Sequence, residues 1–202
     1  MKKLALPAFS TIACLCLSFA WNVSILRAAD DAPAEDDLDF DLTDGRFLLT
    51  APEGWLRKKP ATRVVEHEFQ VPASDGDERP GRVTVTGAGG SIEDNIDRWI
   101  GQFSQSDKSS SKEKTKREKL TVAGQEITLI DVSGTYLDKP PFAAADAGVK
   151  RENYRMLAAI VVTKQGEKKS GNYFIKFVGP SQTVEDHAEG FKTMIEGLKA
   201  AK

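Results

Sequence analysis

Two histidines, His67 and His187, are the side chains in this 202-residue chain best suited to acid–base catalysis or to binding a transition metal. They lie far apart in the sequence, and no H-E-x-x-H motif joins them. His67 alternates with apolar residues on a predicted strand, and His187 flanks the apolar face of a predicted helix. We therefore interpret both as structural residues and predict no catalytic residue and no metal ligand.

A glycine-rich stretch, GAGGSI at 87–92, is the one segment with the look of a phosphate-binding loop. A dinucleotide-binding fingerprint needs a third glycine where Ile92 stands, and a P-loop needs lysine directly after Gly90. Acids such as Asp94 follow at once and would repel a phosphate group. We interpret the stretch as a joint between a strand and a helix whose N-cap is Ser91.

Two other kinds of site can be compared with the sequence. No G-x-S-x-G motif of a serine hydrolase occurs. The acidic run SDGDERPG resembles a calcium loop, but Arg79 and Pro80 stand where an EF-hand needs an oxygen ligand and a glycine. We predict a protein that is not an enzyme and has no cofactor.

Residues 1–29 have the pattern of a secretory signal peptide. A basic MKK precedes the uncharged apolar run LALPAFSTIACLCLSFA, and small residues place the cleavage site between 20 and 29. The alternative is an uncleaved membrane anchor. Both cysteines, Cys14 and Cys16, lie in this leader, so the exported chain is expected to contain no disulfide bond. The predicted location is the periplasm, the cell envelope or the extracellular space.

Two polar segments interrupt the rest of the chain. Residues 30–45 are acidic, and we predict a disordered linker there because such a segment repels itself and buries little. Residues 104–115 are rich in serine and lysine and predict a mobile polar loop. The whole chain carries a net charge of −2, which argues against nucleic acid as a partner.

Hydrophobic periodicity predicts strands separated by two helices. Alternating or continuous apolar residues mark strands in segments 46–50, 63–71, 82–87, 117–136, 153–163 and 171–180. The segment 117–136 predicts a hairpin with Ala123-Gly124 at its turn. Helical periodicity marks 91–103 and 183–199. Strands that are apolar on both faces need cover on both sides, so we predict an α+β fold: an α/β/α sandwich with a mainly antiparallel central sheet and a helix on each face.

The order of these elements resembles the PsbP-like fold, which is named after an extrinsic protein of the photosynthetic oxygen-evolving complex. The resemblance covers a single domain at 46–199 and is carried by PEGW at 52–55, the strand pair, the first helix and YFIKFVGP at 173–180. The chain is also similar to small secreted bacterial proteins of unassigned function, through Gly89-Gly90-Ser91 and Arg98-Trp99. The resemblance implies binding or assembly roles rather than catalysis, and it transfers no functional residue.

The long connection at 137–152 contains the candidate partner-binding residues Pro140, Pro141 and Phe142. Two prolines hold the phenylalanine as a preorganised apolar group, which is either a contact for a partner or a plug over the sheet. The sequence thus predicts an exported non-catalytic domain that binds another envelope or secreted protein, with membrane contact only through an uncleaved leader. The alternative is a small-ligand or cation-binding protein, for which Asp131 and Tyr136 are the polar residues of interest.

Overall fold

The computed structural model describes residues 38–139, 147–165 and 168–201. Alternating apolar side chains place most of these residues in strands. The strands are β1 (Asp39–Leu42), β2 (Phe47–Thr50), β3 (Leu56–Lys58), β4 (His67–Val71), β5 (Gly81–Ala88), β6 (Phe103–Ser104), β7 (Lys116–Val122), β8 (Gln125–Asp138), β9 (Val149–Gln165), β10 (Lys168–Pro180) and β11 (Lys199–Ala200). The helices are α1 (Ile92–Ile100), α2 (Ser111–Lys114), α3 (Ser181–Asp186) and α4 (Ala188–Glu196).

An eight-stranded sheet organises the domain. Seven strands follow the order β3-β4-β5-β10-β9-β8-β6, and β7 pairs along another part of β8. All of these pairs are antiparallel. The prediction of a mainly antiparallel central sheet is therefore confirmed. Across the described residues, no helix has the length and apolar character needed to cross a lipid bilayer.

A second, smaller sheet was not predicted. It has the order β1-β2-β11, and its apolar side chains join those of α4 in the first of two hydrophobic clusters. The second cluster contains the buried face of α1. Neighbouring residues of β9 divide between the two, since Ala159 belongs to the first cluster and Ala158 to the second.

The glycine-rich joint leads into α1 as predicted. The Ser91 hydroxyl accepts a hydrogen bond of 3.3 Å from the backbone N–H of Asp94, which caps the helix. Ile96 and Trp99 are buried, and the Trp99 ring meets Phe174 edge to face at 5.5 Å. These contacts hold α1 against the sheet.

The predicted linker at 30–45 is wrong from residue 38 onward. Residues 39–42 form β1, where Phe40 and Leu42 are 3% and 0% exposed. The acidic neighbours Asp39 and Asp41 point away from this core because successive strand residues face opposite sides. The domain therefore includes the strand that precedes residue 46, while residues 30–37 lie outside the described part of the chain.

The predicted C-terminal helix consists of two helices that meet at His187. Its predicted capping box of Thr183 and Asp186 is wrong, because α3 already begins at Ser181. The Thr183 hydroxyl instead donates a hydrogen bond of 2.6 Å to Asp77 Oδ2.

Two further predictions concern connecting segments. The hairpin at 117–136 is confirmed, and both turn residues, Ala123 and Gly124, have positive φ angles of 48° and 74°. The segment 104–115 is more ordered than predicted, because it contains α2 and is fastened by hydrogen bonds of Gln105 and Ser111. The candidate partner-binding residues Pro140, Pro141 and Phe142 lie outside the described residues.

Candidate anion-binding cleft

The side of the sheet on which α1 packs is only partly covered. Helix α1 has nine residues and is about 14 Å long, whereas the seven strands that lie side by side, spaced about 4.8 Å apart, extend over about 29 Å. The strand register aligns one residue from each of five neighbouring strands in a row across the sheet. From β3 to β9, these residues are Lys58, Glu68, Thr84, Lys176 and Ala158. Since Ala158 belongs to the second hydrophobic cluster, this polar row lies on the side of α1.

A cleft of about 300 Å³ opens on this side of the sheet. It crosses the ends of several strands, and its lining combines four bases, two acids and two tyrosines. These charged and aromatic lining residues are Lys58, Glu68, Arg79, Arg82, Tyr136, Asp138, Arg151 and Tyr154. The cleft is therefore a polar concavity with an excess of positive charge.

Two of the four lining bases are paired with acids. Arg82 forms a bidentate ion pair with Glu68, with nitrogen–oxygen distances of 2.8 and 2.9 Å. Arg151 Nη2 lies 3.3 Å from Asp138 Oδ2. Lys58 and Arg79 make no ion pair with any described residue. Their charges are free to attract an anion.

Lys176 adds a further cation at the border of the cleft. Its Nζ donates to Gln102 Oε1 at 2.9 Å, lies 3.5 Å from the hydroxyl oxygen of Tyr136, and sits 5.2 Å from the centre of the Tyr136 ring. Within the described chain it has no carboxylate partner. Burial, reinforced by the charges of Arg82 and Arg98 and opposed by that of Asp138, lowers the pKa of Lys176 to about 8.

The two tyrosines form an aromatic wall. Their rings are nearly parallel, at 7°, with centres 6.1 Å apart, and Phe103 supports Tyr136 from 5.1 Å. Burial, reinforced by the charge of Asp138, raises the pKa of Tyr136 to about 12. The Tyr136 hydroxyl therefore stays protonated at neutral pH and can donate a hydrogen bond.

Of the two polar residues of interest in the sequence, only Tyr136 lies at this cleft. Asp131 instead accepts two hydrogen bonds from Arg155, at 2.9 and 3.0 Å, and Arg155 also pairs with Glu185. Asp131 thus links β8 to Arg155 of β9, and Arg155 in turn links both strands to Glu185 of α3.

The two histidines hold structural contacts away from the cleft. His67 contacts the carbonyl oxygen of Asp41 at 3.0 Å, and His187 Nδ1 accepts a hydrogen bond of 3.3 Å from Trp55 Nε1. Within the described ranges, no three side chains of the His, Cys, Asp or Glu type are grouped closely enough to hold a metal ion.

The basic residues of the cleft were missed in the sequence. The strongest signal was Lys176, the one charged residue within YFIKFVGP. Arg82 carried a weaker signal as the basic start of the alternating run RVTVT. Neither residue has a motif that joins it to the other, because the strands that carry them are distant in sequence and adjacent only in the sheet.

No protein-family model matches the chain, and no curated protein matches it. Among solved structures, it is similar to the cyanobacterial PsbP, CyanoP, of Synechocystis sp. PCC 6803, at 12% identity and a TM-score of 0.46, over 87% of this chain and 99% of that one.

Two other solved structures are similar to this chain, also with TM-scores below 0.5. LpqN of Mycobacterium tuberculosis, described as involved in cell envelope biogenesis, is 9% identical with a TM-score of 0.48, over 77% of this chain and 83% of that one. PA94 of Pseudomonas aeruginosa, a protein of unknown function, is 12% identical with a TM-score of 0.43, over 81% of this chain and 96% of that one.

Proposed function

We propose that this protein is an exported, non-catalytic domain that binds a small anionic ligand in the cleft beside Lys176. The observation that carries the proposal is that two cations without an acidic partner among the described residues, Lys58 and Arg79, line one concavity. Lys176, which has no carboxylate partner in the described chain, contacts Tyr136 of the same lining. Uncompensated charges in a concave, partly dehydrated site attract an anion more strongly than the same charges on an open surface. The same excess of bases disfavours a cation as the ligand.

The lining of the cleft supports binding rather than catalysis. It contains no histidine, and its two carboxylates, Glu68 and Asp138, are both held by arginines. Each carboxylate already accepts hydrogen bonds from its arginine partner, which occupies the oxygens that a reacting group would need. The lining therefore supplies charge and shape, and it offers no poised group for proton transfer.

Export of the protein is inferred from the sequence of residues 1–29, with its basic start and apolar run. We also infer that α1 and α4 cover opposite sides of the central sheet, since they belong to different hydrophobic clusters. The intact mass of the protein recovered from its native cells tests whether the leader is removed on export. A mass that includes the leader would contradict cleavage.

Isothermal titration calorimetry with acetate and inorganic phosphate tests the binding function. The double variant Lys58→Ala/Arg79→Ala removes two exposed cations from the cleft, and we expect it to bind these anions about 3- to 10-fold more weakly. Lys116→Ala/Lys119→Ala is the matched control, because it removes two exposed bases from β7, outside the cleft. Equal weakening in both double variants, or no binding of any anion by the unaltered protein, would contradict the proposal.

A further inference from the structure

Charge and aromatic surface are separated along the cleft. Lys58, Arg79 and Arg82 lie on or beside β3 to β5, with Glu68 as the one acid among them. The tyrosines belong to β8 and β9, which are separated from β5 by β10. At their end, the charges of Arg151 and Asp138 offset each other. The cleft therefore has a basic end and an aromatic end.

The aromatic end presents a flat and supported surface. Tyr136 is 7% exposed and is held between Phe103 and Lys176, so it has little freedom to move. Tyr154 is the more exposed member of the stacked pair and lines the cleft beside Val178. A planar ring packs on such a surface with a larger contact area than a compact group does.

The size of the cleft also exceeds the needs of a simple inorganic anion. A volume of about 300 Å³ has room for about ten water molecules. A phosphate or acetate ion at the basic end would leave most of this space, including the tyrosines, in contact with water. A ligand that fills the cleft must carry a substantial uncharged part.

We infer that the ligand of this cleft is an aromatic acid, whose anionic group lies among Lys58, Arg79 and Arg82 and whose planar ring packs on Tyr154. The inference rests on the proposed anion-binding function and adds the class of molecule and its orientation. In this arrangement the basic end supplies most of the attraction for the charge, and Tyr154 determines the preference for a flat ring.

The test compares two acids of equal charge and length, 3-phenylpropionate and 3-cyclohexylpropionate, which differ in the planarity of the ring. Titration calorimetry on the full protein is expected to show about 3- to 10-fold tighter binding of the phenyl acid. Tyr154→Leu is expected to abolish that preference, and Tyr154→Phe is expected to keep it. Nuclear Overhauser contacts between the ligand ring and Tyr154 in the unaltered protein give a second readout that does not depend on a variant.

Each outcome of this test has a defined meaning. Equal affinity for the two acids, or an undiminished preference in folded Tyr154→Leu, would overturn the aromatic-acid inference and leave the anion-binding function standing. Contacts of the ligand ring with residues other than the tyrosines would also overturn it. If neither acid nor acetate binds, the proposed function fails as well, so the two failures are distinguishable.

Discussion

Lys176 donates a hydrogen bond of 2.9 Å to the side-chain oxygen of Gln102, across the space between β10 and the segment that follows α1. A neutral amide thus occupies a position in which a carboxylate would neutralise the ammonium group. Lysines that are removed from water are ordinarily paired with an acid. Lys176 therefore keeps a charge that no described acid neutralises, in contact with Tyr136 of the cleft lining, and it adds to the excess of positive charge supplied by Lys58 and Arg79.

Replacing this amide by an acid is expected to weaken anion binding. In Gln102→Glu the new carboxylate favours the ammonium form, so the pKa of Lys176 should rise from about 8 towards its ordinary value of 10.5. The same carboxylate competes with the ligand, and we expect acetate to bind about tenfold more weakly. Nitrogen-15 NMR of the lysine side chains measures the pKa, and calorimetry measures the affinity.

Thr193→Glu is the control for this change, because it adds the same charge at an exposed position on α4. The control is expected to keep both the pKa of Lys176 and the affinity for acetate. A comparable loss of affinity in both variants would mean that net charge, rather than the position beside Lys176, determines binding.

The strand at Asp39–Leu42 is expected to contribute strongly to stability. The ring of Phe40 is 3% exposed and lies 5.3 Å from Phe69 and 5.4 Å from His67, between ring centres. Phe40→Ala should lower the free energy of unfolding by about 3–5 kcal/mol, through lost burial and the cavity left behind. Urea denaturation measures this change.

Leu56→Ala provides the comparison for Phe40→Ala, since Leu56 is a large apolar residue that is 38% exposed. It should change the free energy of unfolding by no more than about 0.5 kcal/mol. If Phe40→Ala were as mild as this control, β1 would not belong to the folded core.

Local signals explain which elements could be predicted from the sequence. The hairpin at 117–136 needs only alternating apolar residues and a two-residue turn at Ala123-Gly124, so its strands are read from neighbouring positions. Helix α1 is likewise predicted from local features, namely the Ser91 cap and the helical spacing of the apolar residues Ile96 and Trp99. Such elements depend on contacts within or between adjacent segments.

The sequence analysis missed strand β1 because the many acids of this segment hid the alternation of its apolar residues. Phe40 and Leu42 alternate with Asp39 and Asp41 as in any half-buried strand, but the surrounding acids made the segment look disordered. The cleft was missed for another reason. It brings β3 to β5 together with β8 to β10, and this pairing is fixed by the topology of the sheet rather than by any local pattern.

A side chain at Gly81 is expected to destabilise the fold. A Cβ atom there would lie 2.6 Å from Cε2 of Phe177, whose ring is fully buried in the first hydrophobic cluster. Gly81→Ala should therefore lower the free energy of unfolding by about 1–3 kcal/mol, because the ring must move within a packed core. Gly89→Ala is the matched control, since a Cβ atom at Gly89 would meet no atom within 4 Å. Thermal and urea unfolding of both variants make the comparison, and equal stability of the two would contradict the close contact.

His67 occupies a site that favours its neutral form. Its Nε2 lies 3.0 Å from the carbonyl oxygen of Asp41, and its Nδ1 lies 3.3 Å from the guanidinium of Arg57. The neutral ring fits both contacts, with Nε2–H as the donor and Nδ1 as the acceptor. Burial lowers the pKa of His67 below its ordinary value of 6.5, and Arg57 lowers it further, whereas Asp41 and Glu66 act in the opposite direction.

This lowered pKa predicts a loss of stability in mild acid. Below pH 6.5 the unfolded chain takes up a proton at His67 before the folded protein does, so the free energy of unfolding falls as pH falls from 6.5 through the folded pKa. Above pH 6.5 the contribution is fully present. His67→Gln removes this titration, so the stability difference between the unaltered protein and the variant should shrink between pH 7.5 and pH 5. Urea midpoints at these pH values measure it, and a difference that stays constant or grows towards pH 5 would show that His67 is not held neutral in the fold.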